Sequence, residues 1–268
     1  MPAPLALLVG AILTIGALWA LLVPPAQAPD EPLHFAYVQT LAETGRPPLF
    51  KGRSAGRDLF STEQKLARRF SAYESAIQQP TVRPQWRASQ QRRWREEQAD
   101  LPASARRDGG VENPTAGNPP LYYVWEAIPY TAARGSDLFT RWYAMRLWSV
   151  LLAAGAAIAA WLLVGEITAR NRLGQLVAGA FVGLHPGVSA ITAAINPDAA
   201  MVAAWAVVLW LGARVLRRGA TRGSVLALGG ATLAALLVKA TSFALLPAVG
   251  LVAAVAARRA LRGRQAGP

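Results

Sequence analysis

The sequence has no cysteine in its 268 residues. Disulfide staples and thiolate metal sites are therefore excluded, and the redox compartment cannot be read. Histidine is nearly as scarce, His34 and His185 being the two present, which argues against a histidine-rich zinc centre. No glycine-rich nucleotide loop stands out, nor any arrangement of serine, histidine and acid. Acidic residues number 15 against 28 Lys and Arg, and they lie almost wholly between Asp30 and Asp137. From Arg146 onward the acids are Glu166 and Asp198, while Arg170, Arg172, Arg214, Arg217, Arg218, Arg222, Arg258, Arg259, Arg262 and Arg264 fall in short links between apolar runs. Short cytoplasmic loops collect such residues, so the net charge of +13 is a topology signal rather than the footprint of a nucleic acid.

What is abundant is apolar residue, 53% of the chain and gathered in long runs. Leu5 to Val23 is long enough to cross a hydrocarbon core of about 30 Å as a helix. A cleaved signal peptide is the rival reading, since Ala26-Gln27-Ala28 resembles a cleavage site, but Met1-Pro2-Ala3-Pro4 carries no basic side chain. Further spans are expected at about Tyr143 to Val164, Leu173 to Ile191, Ala199 to Leu216, Val225 to Val238 and Ser242 to Ala257. A kink is expected at His185-Pro186, and close helix packing at Gly155, Gly179 and Gly183. The expected fold is all-α, a polytopic bundle of about six spans with a large, partly helical extracytoplasmic first loop. Its parts are a first span at 1–24, the loop domain at 25–141, a five-helix bundle at 142–258 and a basic cytoplasmic tail at 259–268. Alternation along these spans puts every arginine cluster inside, and Asp30, Asn196, Asp198, Lys239 and the large loop outside.

Just past the first span comes Pro29-Asp30-Glu31-Pro32-Leu33-His34-Phe35. Asp30 has the chemistry of an N-cap, with Pro32 in the first turn and Gly45 as the stop of a short helix whose face carries His34, Tyr37, Val38 and Leu41. A pair of acids where a membrane helix meets water exceeds what a cap requires, so the same stretch is a candidate site. Ser61 with Gln64 matches a capping box, and Leu66, Phe70, Tyr73 and Ile77 then share one face before Pro80, as in a helix lying on the membrane surface. Trp86 to Gln98 reads as a second such helix; stacking on nucleic acid is the weaker alternative for its interleaved Trp and Arg. In Asn118-Pro119-Pro120-Leu121-Tyr122-Tyr123 the prolines fix the backbone where the chain returns to the membrane, and the tyrosines suit an interfacial belt. Asn196-Pro197-Asp198 is good turn and cap chemistry, with a pocket role as the alternative. Arg146 and Lys239 are either snorkelling cations or ligands for a phosphate.

Taken in order, the 29–35, 118–123 and 196–198 stretches, Arg146-Leu147 and Lys239-Ala240-Thr241 resemble the polytopic GT-C glycosyltransferase superfamily. The resemblance is to bacterial relatives of protein mannosyltransferases and of the lipid A aminoarabinose transferase, including DUF2142-like membrane proteins. It implies transfer of a sugar from a polyprenyl-phosphate donor on the outer face of a bacterial plasma membrane. Asp30 would be the base that takes the acceptor proton, with Glu31 assisting or helping to hold a divalent cation. His34, Asn118, Tyr122, Tyr123, Arg146, Asn196, Asp198 and Lys239 would contact substrate. The implied partners are the bilayer, the lipid-linked sugar and a second membrane subunit, because such enzymes usually carry about twice as many spans. A front half of this kind would otherwise be a non-catalytic subunit that binds a lipid-linked glycan or a partner protein.

Overall fold

The structure is a computed structural model that describes residues 1–49, 58–70 and 88–265. Tyr73, Ile77, Pro80 and Trp86 lie outside the described residues. Within them the regular elements are all helical: α1 (Ala3–Leu22), α2 (Glu31–Thr44), α3 (Thr62–Phe70), α4 (Ala88–Ala99), α5 (Leu121–Ala132), α6 (Leu138–Ile167), α7 (Arg172–Gly183), α8 (Pro186–Thr192), α9 (Pro197–Arg218), α10 (Arg222–Val238) and α11 (Leu246–Gln265). Short 3-10 turns stand at Ala103–Arg106, Pro114–Gly117 and Ala240–Leu245.

Four segments are long and apolar enough to cross a membrane: α1, α6, α9 and Ala240–Arg262, where the last 3-10 turn runs on into α11. A fifth is α7 with α8, taken as one broken span bent by 55° at the expected His185-Pro186 break, where proline cannot continue the hydrogen-bond ladder. The sixth expected segment is α10, a 17-residue apolar helix shorter than the roughly 20 residues a full crossing needs. The chain is thus an all-helical membrane protein with four to five candidate spans.

The chain divides into two compact units, Gly16–Val150 with Ala190–Asn196, and Met1–Ile15 with Leu151–Ser189 and Pro197–Pro268. In the first, α2 is the central rod. Its expected single apolar face is in fact burial on most sides: Phe35, Ala36, Tyr37 and Val38 are buried, and so are Glu31, His34 and Gln39. Polar groups can be buried here because each finds a partner. The Phe35 ring stacks on Trp142 at 4.4 Å and Tyr37 on Tyr123 at 3.5 Å. Gly45 closes α2 as expected, its φ of 69° giving the left-handed turn that lets its N–H reach the Leu41 carbonyl. Only half of the expected capping box forms at α3: Ser61 Oγ accepts from the Gln64 N–H, while the Gln64 side chain donates to the Pro32 carbonyl at 2.8 Å. Trp94 of α4, expected at a membrane surface, is buried against Phe139 at 4.6 Å between ring centres. Behind α2 a charged network ties the loop together. Glu63 accepts from Gln39, Arg106 and Arg141; Glu43 accepts from Tyr130 and Arg134; and Arg141 also donates to Tyr130.

In the second unit, Leu8 and Ile12 of α1 pack with Ala153 and Ala157 of α6 and with Leu176, Ala180 and Leu184 around α7. Gly179 and Gly183 admit this approach, since a Cβ on Gly179 would meet Leu8 Cδ2 at 2.9 Å and one on Gly183 would collide with Ile12. Gly155, expected to do the same, faces open space. Gly183→Leu should therefore cost about 1–3 kcal/mol by overpacking, read as a lowered thermal midpoint in detergent, with Gly155→Leu unchanged as the control. A second cluster joins Val208 and Val215 of α9 to Leu228 and Ala235 of α10 and to Leu245. Arg214 and Arg218 both reach Glu166, Arg218 as a two-point fork at 2.7 and 2.8 Å. Leu173, Val177, Phe181, Leu226 and Leu251 are exposed, as side chains that face lipid are.

Candidate functional site

Between α1 and α2 the chain must reverse within a few residues, and it does so on a left-handed backbone at Asp30, φ 57° and ψ 5°. Aspartate tolerates this conformation better than most residues. The consequence overturns the capping explanation of this residue. Its carbonyl accepts from the N–H groups of Leu33 and His34, but its side chain makes no cap bond, and among the described residues no hydrogen bond or ion pair engages its carboxylate. Asp30 is exposed. A strained backbone carrying an uncommitted acid is a feature of functional sites.

Glu31, one residue on, is the opposite case. It is completely buried, and each of its oxygens has two donors: Oε1 takes Arg146 Nε at 2.6 Å and the Ile195 N–H at 3.2 Å, and Oε2 takes Arg146 Nη2 at 2.6 Å and the Ala26 N–H at 3.0 Å. A carboxylate offers about four lone-pair positions, so none is left. Arg146 is equally spent. Beyond the fork to Glu31 it donates to the carbonyls of Ala20 at 3.1 Å, Val23, and Pro24 at 3.0 Å, which uses all five guanidinium donors. The Ala20 carbonyl belongs to the last turn of α1, where a cation also suits the helix dipole. Arg146 is thus neither snorkelling nor free for a phosphate; it clamps the exit of α1 to the start of α2.

Three side-chain amides fix the backbone around Asp30. Asn196 donates to the Pro29 carbonyl at 3.3 Å, Gln64 to that of Pro32 and Asn113 to that of Leu33 at 3.0 Å. One turn further along α2, His34 Nδ1 shares a 2.9 Å hydrogen bond with the Tyr123 hydroxyl, which also accepts from Asn118 Nδ2 at 3.0 Å. Tyr122 and Tyr123 are therefore interior residues and not an interfacial belt, being 1% and 0% exposed. Burial pushes the Tyr37 phenol above its ordinary range, so it stays neutral at physiological pH. Tyr123→Phe should cost about 1–3 kcal/mol, the penalty for removing the hydroxyl that bonds the buried His34 and the part-buried Asn118, measured as a lower thermal midpoint.

The structure thus brings Asp30, Glu31, Arg146 and Asn196 together, with His34 on α2, Tyr123 on α5 and Asn118 just after the 3-10 turn that precedes α5. Asp198 and Lys239 belong to the other unit, where Lys239 Nζ donates to Asp198 Oδ1 in a part-exposed pair. Asp198 opens α9, where an acid in the first turn is favoured.

A sequence model of a family described as "Predicted membrane protein (DUF2142)" matches residues 13–267. The chain belongs to the DUF2142 family. No curated protein and no solved structure matches it significantly.

In this DUF2142 protein Asp30 and Glu31 do not fit a divalent cation, because Glu31 has no oxygen lone pair left to coordinate one. Among the described residues no three of His, Asp and Glu converge as metal ligands. Sequence reading missed the anchoring amide of Asn113, whose only signal was its place in a turn-rich stretch. It also missed the buried group in which Ser149 Oγ donates to Glu126 Oε1 at 2.6 Å and lies 3.3 Å from the Tyr122 hydroxyl. Its signal was an acid inside an apolar helical stretch.

Proposed function

We propose that this chain is a GT-C type membrane glycosyltransferase, with Asp30 as the base and the large loop on the extracytoplasmic face. The observation that carries the reading is the pairing of opposites at 30 and 31: an exposed, uncommitted carboxylate on a left-handed turn, immobilised by a buried ion pair beneath it. In the reaction an acceptor hydroxyl attacks the anomeric carbon of a polyprenyl-phosphate sugar. The bond from that carbon to the phosphate oxygen breaks, the polyprenyl phosphate departs with the bonding pair, and the hydroxyl proton passes to Asp30. Glu31, Arg146 and Asn196 act as positioning residues, consistent with a base that must stay within hydrogen-bond reach of the attacking oxygen.

A second reading is favoured by the saturation of Arg146. A departing phosphate needs a cation or donors, and the guanidinium beside Asp30 has none to spare. The loop would then hold a lipid-linked glycan, or a partner protein that supplies the missing groups, without turning it over. Membranes containing the chain alone, supplied with radiolabelled polyprenyl-phosphate sugars, distinguish the two. Transfer establishes the enzyme; donor retained without transfer establishes the glycan-binding subunit; neither, in folded protein, sinks transfer and glycan binding alike.

A further inference from the structure

The helix α5 is inside out for a helix in water. Its outward face is Leu121, Val124 and Ile128, respectively 37%, 51% and 51% exposed, at the i, i+3, i+7 spacing of one stripe. Its inward face is polar, with Tyr122, Tyr123, Glu126 and Tyr130 buried. Glu126 is the single charged side chain in Leu121–Ala132, and it is fully enclosed. A water-facing helix places its apolar stripe against the protein core, whereas one facing hydrocarbon places it outward.

The neighbour of α5 says what lies beyond that stripe. Through the short link at 133–137, α5 runs antiparallel to the first half of α6. Tyr130 accepts from Arg141 at the linked end of the hairpin, Glu126 accepts from Ser149 further along, and the Trp125 and Trp148 rings lie 4.7 Å apart. Leu147 to Val164 of α6 is an uncharged run of the length a bilayer requires, and Leu147 is itself exposed. The first half of α5 is therefore level with the start of a membrane-spanning stretch. Its other end approaches the charges of Glu43, Arg134 and Arg141. At about 1.5 Å per residue its 12 residues reach about half the hydrocarbon thickness, so it does not cross.

We propose that α5 is a membrane-contacting helix whose Leu121, Val124 and Ile128 face lies against lipid acyl chains, continuous with the lipid face of α6, deepest at Leu121 and emerging toward Thr131. The Glu126, Ser149 and Tyr122 group then lies on the opposite, inward side of α5, enclosed by protein and turned away from the lipid. The surface is independent of the glycosyltransferase reading and holds whether or not the chain transfers a sugar.

The lack of any native cysteine makes the test direct, since each introduced thiol is the sole labelling site. Leu121→Cys, Val124→Cys and Ile128→Cys are spin-labelled in the full chain, in phosphatidylcholine and phosphatidylglycerol liposomes. Collision with oxygen, which concentrates in hydrocarbon, is compared with collision with a water-soluble nickel chelate. Leu147→Cys serves as the lipid reference and Gly135→Cys as the aqueous one. Expected is a severalfold excess of oxygen over nickel at 121 and 124, a smaller excess at 128, and nickel dominance at 135. Nickel dominance at 121, 124 and 128 overturns the proposal by making the face aqueous. Immobilised labels reached by neither reagent overturn it by showing that a second copy or a partner helix covers the stripe. The three positions report separately, so one misfolded variant leaves two to decide.

Discussion

Asp30→Asn should lower sugar transfer by about 10²–10⁴-fold, the range expected when a general base is removed, while leaving the fold unchanged. The separation of the two effects follows from the site. Among the described residues the Asp30 side chain makes neither a cap bond nor an ion pair, so replacing it removes no such bond. Asparagine also tolerates the left-handed backbone at φ 57° as well as aspartate does, whereas Asp30→Ala adds strain of about 1–2 kcal/mol. Transfer measured with radiolabelled polyprenyl-phosphate sugars, beside thermal midpoints of both variants, checks this. Wild-type transfer by Asp30→Asn would remove Asp30 from the chemistry. An equal fall in stability and transfer would make it structural.

Disrupting the Glu31 and Arg146 pair should have the largest effect on stability. Each side chain is wholly buried, and a charge stranded by loss of its partner typically costs about 3–5 kcal/mol. Glu31→Gln keeps the shape but leaves the guanidinium without its counter-charge. Arg146→Lys keeps the charge but cannot reproduce the planar fork together with the bonds to Ala20, Val23 and Pro24. The charge swap Glu31→Arg with Arg146→Glu should not rescue, because a carboxylate at 146 has no donors for those three carbonyls. Thermal unfolding of the three variants in detergent is the measurement. Arg146→Lys at wild-type stability, or full rescue by the swap, would show that the clamp does not hold the turn.

How far the sequence could be read varies by element and has a physical reason in each case. The spans were legible because hydrocarbon imposes a length and an apolarity that a single run of residues must meet alone, as Leu5 to Val23 does. The break at His185-Pro186 and the stop at Gly45 were legible because proline and glycine act on their own backbone. The tyrosines at 122 and 123 were misplaced, since aromatic residues beside a span suit an interface or an interior equally until the neighbours are known. Asp30 looked like a cap for the same reason: residue type shows that a side chain can cap, not that the backbone presents it.

By itself the sequence determined that this is an all-helical membrane protein and that an acidic pair stands where its first span ends. Which member of the pair is free was decided by tertiary structure alone. Asp30 and Glu31 are adjacent, with the same functional group and nearly the same local setting. What separates them is a guanidinium 115 positions away and the N–H of Ile195, brought to Glu31 by folding and not to Asp30. Partners at that distance leave no periodicity or spacing in the chain, and only the packed structure brings them within hydrogen-bond reach.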